Sequence, residues 1–188
     1  MMAETRKVAV LVGSLRKASL NRKTAQALIA MAPASLDMEI VEIGDLPLYN
    51  EDLDNAEPTP AAWTRFRDQV RGKDAVLWVT PEYNRSVPGV LKNAIDVGSR
   101  PYGQSVWSGK PTAVISVTPG PYGAFGANQH IRQSFVFLDM PAMQQPEAYI
   151  NNAGAIFNDD GSVKEEKQKA QLQKFIDAFA RWVEGHTR

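Results

Sequence analysis

Short apolar runs recur along this chain, separated by stretches in which apolar residues return every three or four positions. That alternation calls for a parallel sheet wrapped by helices. The first run, Lys7 to Val12, is apolar at consecutive positions, as a strand buried on both faces must be. Ala25, Leu28, Ile29 and Ala32 follow at helical spacing, and Pro33 ends that helix. A second strand is expected over Met38 to Ile43, then a Pro- and Asp-rich connection from Gly44 to Pro60. The spacing predicts a helix from about Thr59 to Arg71, with Trp63, Phe66 and Val70 inward, and a third strand from Ala75 to Val79. The next helix opens at Pro88, where a first-turn proline costs no hydrogen bond, and turns Leu91, Ala94 and Ile95 to the core.

A fourth strand is expected over Thr112 to Val117, followed by a Gly- and Pro-dense loop, Thr118 to Gly126, and a helix carrying Ile131, Phe135 and Leu138. The fifth strand is expected within Pro141 to Gln145, with continuation to Ile150. After a turn at Asn158-Asp159-Asp160-Gly161, Ser162 and Glu165 have capping-box spacing, and Leu172, Phe175, Ile176, Phe179 and Val183 form the buried stripe of the last helix. Five strands with intervening helices make a three-layer, doubly wound α/β domain, and a length of 188 residues gives no reason to divide residues 1–188.

Composition removes several classes of function. The 21 basic and 21 acidic side chains balance, so no uniform field points to nucleic acid or an anionic membrane. With no cysteine, neither dithiol exchange nor a thiolate metal site is possible. The run after Arg6-Lys7 is too short for a signal peptide, and no stretch approaches the roughly 20 apolar residues of a membrane span, so a cytoplasmic protein is expected.

In a sheet of this kind ligands bind beyond the carboxyl ends of the strands, where strand order reverses. After the first strand, Gly13 to Arg22 offers hydroxyls at Ser14 and Ser19, an amide at Asn21, a guanidinium at Arg16 and the free N–H groups of a helix start. That set suits a phosphate monoester, although Ser19 or Asn21 could simply cap the helix. Neither G-x-G-x-x-G nor G-x-x-x-x-G-K-[ST] occurs, which disfavours a dinucleotide turn and a triphosphatase loop. A phospho-receiver domain needs carboxylates where this chain has Gly13-Ser14 and Thr80-Pro81.

Gly13-Ser14-Leu15-Arg16 with Ser19 and Asn21, then Pro81-Glu82-Tyr83-Asn84, Val87-Pro88-Gly89 and Leu91-Lys92-Asn93-Ala94-Ile95-Asp96, resembles the NAD(P)H-dependent FMN reductases, in particular their chromate and quinone reductase branch. The resemblance runs from about Val8 to Glu147. It implies a flavodoxin-like sheet of strand order 2-1-3-4-5 and FMN as cofactor, with NADPH or NADH as co-substrate. It further implies Ser14, Arg16, Ser19 and Asn21 on the FMN phosphate and Pro81, Glu82, Tyr83 and Asn84 along the isoalloxazine. Ser116 falls near the ribityl chain or ring. Relatives have small glycines after the fourth strand. Here Pro119, Pro121, Tyr122 and Phe125 make that loop stiffer and bulkier.

The implied reaction is a ping-pong hydride transfer from NAD(P)H to FMN and on to a quinone, free flavin or an oxidised metal anion such as chromate, with no catalytic side chain required. A homodimer or homotetramer is implied, the loop around Tyr49 to Leu53 reaching a neighbour. The alternative is a flavodoxin-type electron carrier, which the neutral charge disfavours; a third possibility is a domain that has lost its flavin. Arg85 and Arg100 each follow an element expected at the flavin edge and are candidates for an anionic substrate or the nicotinamide cofactor's phosphate. Without a Ser or Cys in a nucleophile context, His130 and His186 are expected to be structural. Glu51, Asp52 and Asp54 read as a solvated acidic loop, Asp159-Asp160-Gly161 lacks calcium-loop spacing, and Trp78, Met140 and Met143 fill core.

Overall fold

A computed structural model describes residues 5–158 and 161–187. Strands β1 (Arg6–Val12), β2 (Leu36–Ile40), β3 (Ala75–Thr80), β4 (Thr112–Val117) and β5 (Ala148–Ile150) form one sheet in the order β2-β1-β3-β4-β5. Each neighbouring pair is parallel. The expected order 2-1-3-4-5 is therefore the observed one.

Parity along each strand divides the core into two layers. Val8, Val10 and Val12 of β1, Leu77 and Val79 of β3, and Ile115 and Val117 of β4 meet α1 (Leu20–Met31) and α6 (Glu166–His186). Ala9, Leu11, Val76, Trp78 and Val114 point the other way, against α3 (Ala61–Arg71), α4 (Gly89–Gly98) and α5 (Phe125–Leu138). Trp78 lies 5.1 Å from Trp107 and 5.6 Å from Phe135, ring centre to ring centre. Its indole N–H donates to the Thr112 hydroxyl at 2.7 Å, so this buried aromatic layer keeps no orphaned polar group at Trp78. Gly98 is required there, since a Cβ would sit 2.3 Å from the Trp107 ring. Met140 and Met143 are buried as expected.

The bounds of β2 and β5 and the start of α6 differ from the sequence reading. β2 pairs over Leu36–Ile40 rather than Met38 to Ile43. Val41 still donates its N–H to the Val10 carbonyl at 3.0 Å, and Val41 and Ile43 stay buried against the second layer, so the apolar run reports burial beyond the last paired residue. β5 is only Ala148–Ile150; within Pro141 to Gln145 the sole ladder contact is a bridge from Ala142 to Thr112. Pro141 and Pro146 supply no N–H to a ladder. α6 starts at Glu166 with no side-chain cap, because the Ser162 hydroxyl accepts from Asn158 Nδ2 at 2.8 Å in the preceding turn. Asp159 and Asp160 of that turn lie outside the described residues.

The long connection also contains a short helix, α2 (Glu51–Asp54), and is not simply solvated. Asp54 pairs with Arg67 at 2.7 Å with both side chains under 10% exposed (5% and 7%). Arg67 also donates to the Val97 carbonyl at 2.9 Å. Asn93 accepts from the Tyr49 N–H at 2.8 Å and donates to the Pro47 carbonyl at 3.0 Å. These buried groups pin the connection against α3 and α4. Burial and the Asp54 carboxylate hold the Tyr49 phenol above its ordinary pKa.

Candidate cofactor site at the carboxyl edge of the sheet

Strand order reverses between β1 and β3, so the loops leaving these two strands diverge around a crevice. Their roots are in contact. A Cβ on Gly13 would meet Leu91 Cδ2 and Pro81 Cδ, each at 3.1 Å, and Thr80 Oγ1 at 3.3 Å. Any larger residue here would have to push these neighbours back by a few tenths of an ångström.

The first loop carries the donors expected of it. Ser14, Ser19 and Asn21 are buried, whereas Arg16 is exposed and makes no hydrogen bond or ion pair among the described residues. Ser19 is the N-cap of α1, its hydroxyl oxygen accepting from the Arg22 N–H at 3.1 Å. Capping takes one lone pair and leaves the hydroxyl proton for another acceptor. The backbone N–H groups of Ser14, Leu15, Leu20 and Asn21 donate to nothing among the described residues. Arg22 is held by Glu42 at 2.7 Å, which leaves Arg16 as the loop's free guanidinium. Unspent hydroxyls, free amides at a helix start and an unpaired cation fit a phosphate dianion.

Asn21 sits differently. Its Nδ2 donates to the Val117 carbonyl at 3.2 Å, tying α1 to the end of β4, and its Oδ1 is buried without a partner. A phosphate dianion has no proton to give that oxygen. Within the first loop, the side chains suited to the anion are Ser14, Arg16 and Ser19.

After β3, Tyr83 and Ser86 exchange backbone hydrogen bonds of 3.1 and 3.0 Å around Asn84 and Arg85. Both central residues have positive φ, 51° and 64°, making a tight two-residue turn. Asn tolerates that backbone; Arg rarely adopts it. Glu82-Tyr83-Asn84 thus enters a polar turn, which presents the Tyr83 ring, about half exposed, at the rim. The Glu82 carboxylate turns inward and accepts from the Ala127 N–H at 3.1 Å. It supplies the cap that Ala124, the residue before α5, cannot, and it complements the positive end of that helix. Gly126 makes this approach possible, since its Cβ would stand 2.6 Å from the Arg85 carbonyl oxygen.

Two expected site residues have other surroundings. Ser116 has no exposed surface; its hydroxyl donates to the Gly123 carbonyl at 2.6 Å and accepts from Asn128 Nδ2 at 3.2 Å. It fixes the shape of the loop after β4, with its hydrogen bonds made within the protein. Arg100 follows the far end of α4, which runs back from the carboxyl edge, so it stands at the opposite end of the sheet beside Leu138 and Asp139. Arg85 is at the rim, its guanidinium 5.1 Å from the centre of the Tyr122 ring.

His130 does have a serine partner, contrary to expectation. Its Nδ1 lies 2.9 Å from Ser86 Oγ, and the pair is exposed with no carboxylate on the ring's other nitrogen among the described residues. It fastens the Tyr83–Ser86 turn to α5, as Gly126 and Glu82 do. The Gly126 contact left no sequence signal. Asn93 and Arg67 did leave one, being polar residues inside the apolar stripes of α4 and α3. No group of three or more metal-ligating side chains occurs among the described residues, and none of their helices is long and apolar enough to cross a membrane.

The family model for NADPH-dependent FMN reductases matches residues 6–155, which covers the sheet and the loops at its carboxyl edge. The chain belongs to that family. Among its relatives within and around this family is a quinone reductase of Pseudomonas putida, 65% identical over 182 residues, 97% of each chain. A 2-hydroxy-1,4-benzoquinone reductase of a Burkholderia species is 46% identical over 177 residues, 94% of this chain and 96% of that one. The structure of FerB, an NAD(P)H:(acceptor) oxidoreductase flavoenzyme from Paracoccus denitrificans, superposes with a TM-score of 0.90 at 46% identity. It covers 98% of this chain and 100% of that one.

Proposed function

We propose that this FMN reductase family member is an NAD(P)H:quinone oxidoreductase that converts NAD(P)H, a proton and a quinone into NAD(P)⁺ and the hydroquinone. The observation that carries the proposal is the β1 loop, where buried Ser14 and Ser19, exposed Arg16 and free helix-start amides leave their donors unspent beside the topological switch point. The quinone reductases among the relatives support the choice of acceptor. Bound there, FMN supplies two-electron hydride chemistry.

The chain's own residues bind and orient. Ser14, Arg16 and Ser19 neutralise and hold the phosphate, with Asn21 fixing the helix start behind them. Pro81, Glu82, Tyr83 and Asn84 line the ring through backbone and the Tyr83 side chain, their turn braced by α5. Positioning of this kind accounts for several kcal/mol of a barrier, on the order of the gains measured for well-oriented reactants. No side chain is assigned acid or base work, because solvent reaches the rim. Free flavin and chromate are further acceptors on the same grounds. The loop around Tyr49 to Leu53, with the neighbouring Leu48 79% exposed, is the segment we assign to contact with a second copy in a dimer or tetramer. A cytoplasmic location, where NAD(P)H is available, goes with this reading.

The test is NADH and NADPH oxidation by the purified, FMN-loaded protein with a quinone, free FMN or chromate. Acceptor-dependent oxidation that is lost on stripping the flavin and restored by adding FMN is expected. Bound FMN without NAD(P)H consumption would make the protein an electron carrier instead.

A further inference from the structure

The loop from Thr118 to Ala124 and the turn at Asn84-Arg85 together present aromatic rings where burial would be the rule. Tyr83, Tyr122 and Phe125 are 49%, 68% and 55% exposed. They are not loose. Phe125 packs on Tyr149 at 5.3 Å, and the Tyr149 hydroxyl is fixed by Gln129 at 2.7 Å and Glu147 at 2.8 Å. Gly123 lies so close to Tyr149 that a Cβ would meet it at 2.7 Å. Ser116 locks the Gly123 carbonyl from beneath. The two segments touch through Gly126 and through Arg85 over Tyr122.

Non-glycine residues with left-handed backbone concentrate here: Asn84 (φ 51°), Arg85 (64°) and Ala124 (57°). Such conformations cost free energy and persist where the surroundings impose them. Arg85 is the charged member of the patch. It forms an ion pair with Glu82 at 3.6 Å, too long for a hydrogen bond. Its exposed guanidinium makes no hydrogen bond among the described residues, so its N–H donors can still take an anion while Tyr122 supports its plane.

We propose that Tyr83, Tyr122, Phe125 and Arg85 form an acceptor platform selective for planar aromatic anions, such as quinones bearing an ionised ring hydroxyl or a sulfonate. The rings supply stacking area for a flat acceptor, and the guanidinium supplies a charge-assisted contact to its anionic substituent. A small inorganic oxyanion would use Arg85 but gain nothing from the rings. A neutral quinone would use the rings but not Arg85. The combination selects molecules with both features, and it rests on the quinone oxidoreductase reading above.

The test separates the two claims by using a redox-inert matched pair. Calorimetric titration of the FMN-loaded protein with naphthalene-2-sulfonate and with the uncharged naphthalene-2-sulfonamide should show the anion bound about tenfold more tightly, the scale of one charge-assisted hydrogen bond. Arg85→Gln should erase that preference, and Arg85→Lys should keep part of it. Tyr122→Leu and Phe125→Leu should weaken both probes. In turnover, the ratio of kcat/KM for a sulfonated naphthoquinone to that for its neutral parent should fall by a similar factor in Arg85→Gln. Wild-type protein that oxidises NAD(P)H with quinones but binds the two probes equally, or binds neither, would overturn the platform. An anion preference surviving Arg85→Gln, or probe affinities unmoved by Tyr122→Leu, would do so too. Failure of the wild type to turn over any quinone would instead remove the underlying activity.

Discussion

Ser14 and Ser116 both stand at the carboxyl ends of parallel strands on the same edge, and both are buried, at 5% and 0% exposure. Ser14 has no hydrogen-bond partner among the described residues, whereas Ser116 is saturated by Gly123, Ala148 and Asn128. The loop after β1 keeps its donors free because α1 follows at once and its first turn needs only Ser19. The segments after β3 and β4 must hold a turn with two positive φ angles and a helix start without a cap, so Glu82, Ser116 and Asn128 are consumed as scaffold. A polar residue at the right strand end is therefore not yet a ligand. What decides is whether its hydrogen bonds are already made.

That contrast breaks if the rim after β3 and β4 tolerates change. The largest effect is expected from Gly126→Ala, whose methyl meets the Arg85 carbonyl; thermal or denaturant unfolding should show a loss of about 2–3 kcal/mol, the cost of overpacking against backbone. Arg16→Ala tests the opposite loop. FMN affinity in a fluorescence titration should fall by roughly 1.5–3 kcal/mol, as for a lost charge-assisted hydrogen bond, with stability almost unchanged. Ser116→Ala should do the reverse, lowering stability by about 1–3 kcal/mol because the Gly123 carbonyl loses its buried donor, while FMN affinity holds. If Ser116→Ala weakened FMN binding as much as Arg16→Ala, the division of labour between the two loops would be wrong.

The smallest effect marks the baseline. The Arg65 hydrogen bond and charge hold the Asp45 carboxyl below its ordinary pKa. A depressed carboxylate stabilises the fold above its unfolded pKa of about 4, and that contribution is lost as pH falls through the lower folded value. Because the pair is exposed, Asp45→Asn should change stability by less than about 0.5 kcal/mol near neutral pH and leave FMN binding alone.

The five strands and both helical layers are legible because burial leaves a period in the sequence, and the sheet order followed from the family resemblance. Less was legible where proximity depends on tertiary approach. Nothing in the sequence says that Glu82 reaches the α5 start, or that Gly126 lies against Arg85. Arg100 was misplaced by counting forward from an edge, since α4 carries the chain about 15 Å back across the sheet at 1.5 Å per residue. Asp54 looked solvated because its partner, Arg67, lies 13 residues away on another helix.

The central claim is that the β1 loop grips a terminal phosphate, and riboflavin, which has the ring and ribityl chain but no phosphate, tests it directly. Titrating protein freed of flavin with FMN and with riboflavin should give FMN an affinity at least ~100-fold higher, the scale of about two charge-assisted hydrogen bonds. Arg16→Ala should shrink that gap by about tenfold or more. Equal affinity for the two flavins in the wild type would contradict the account.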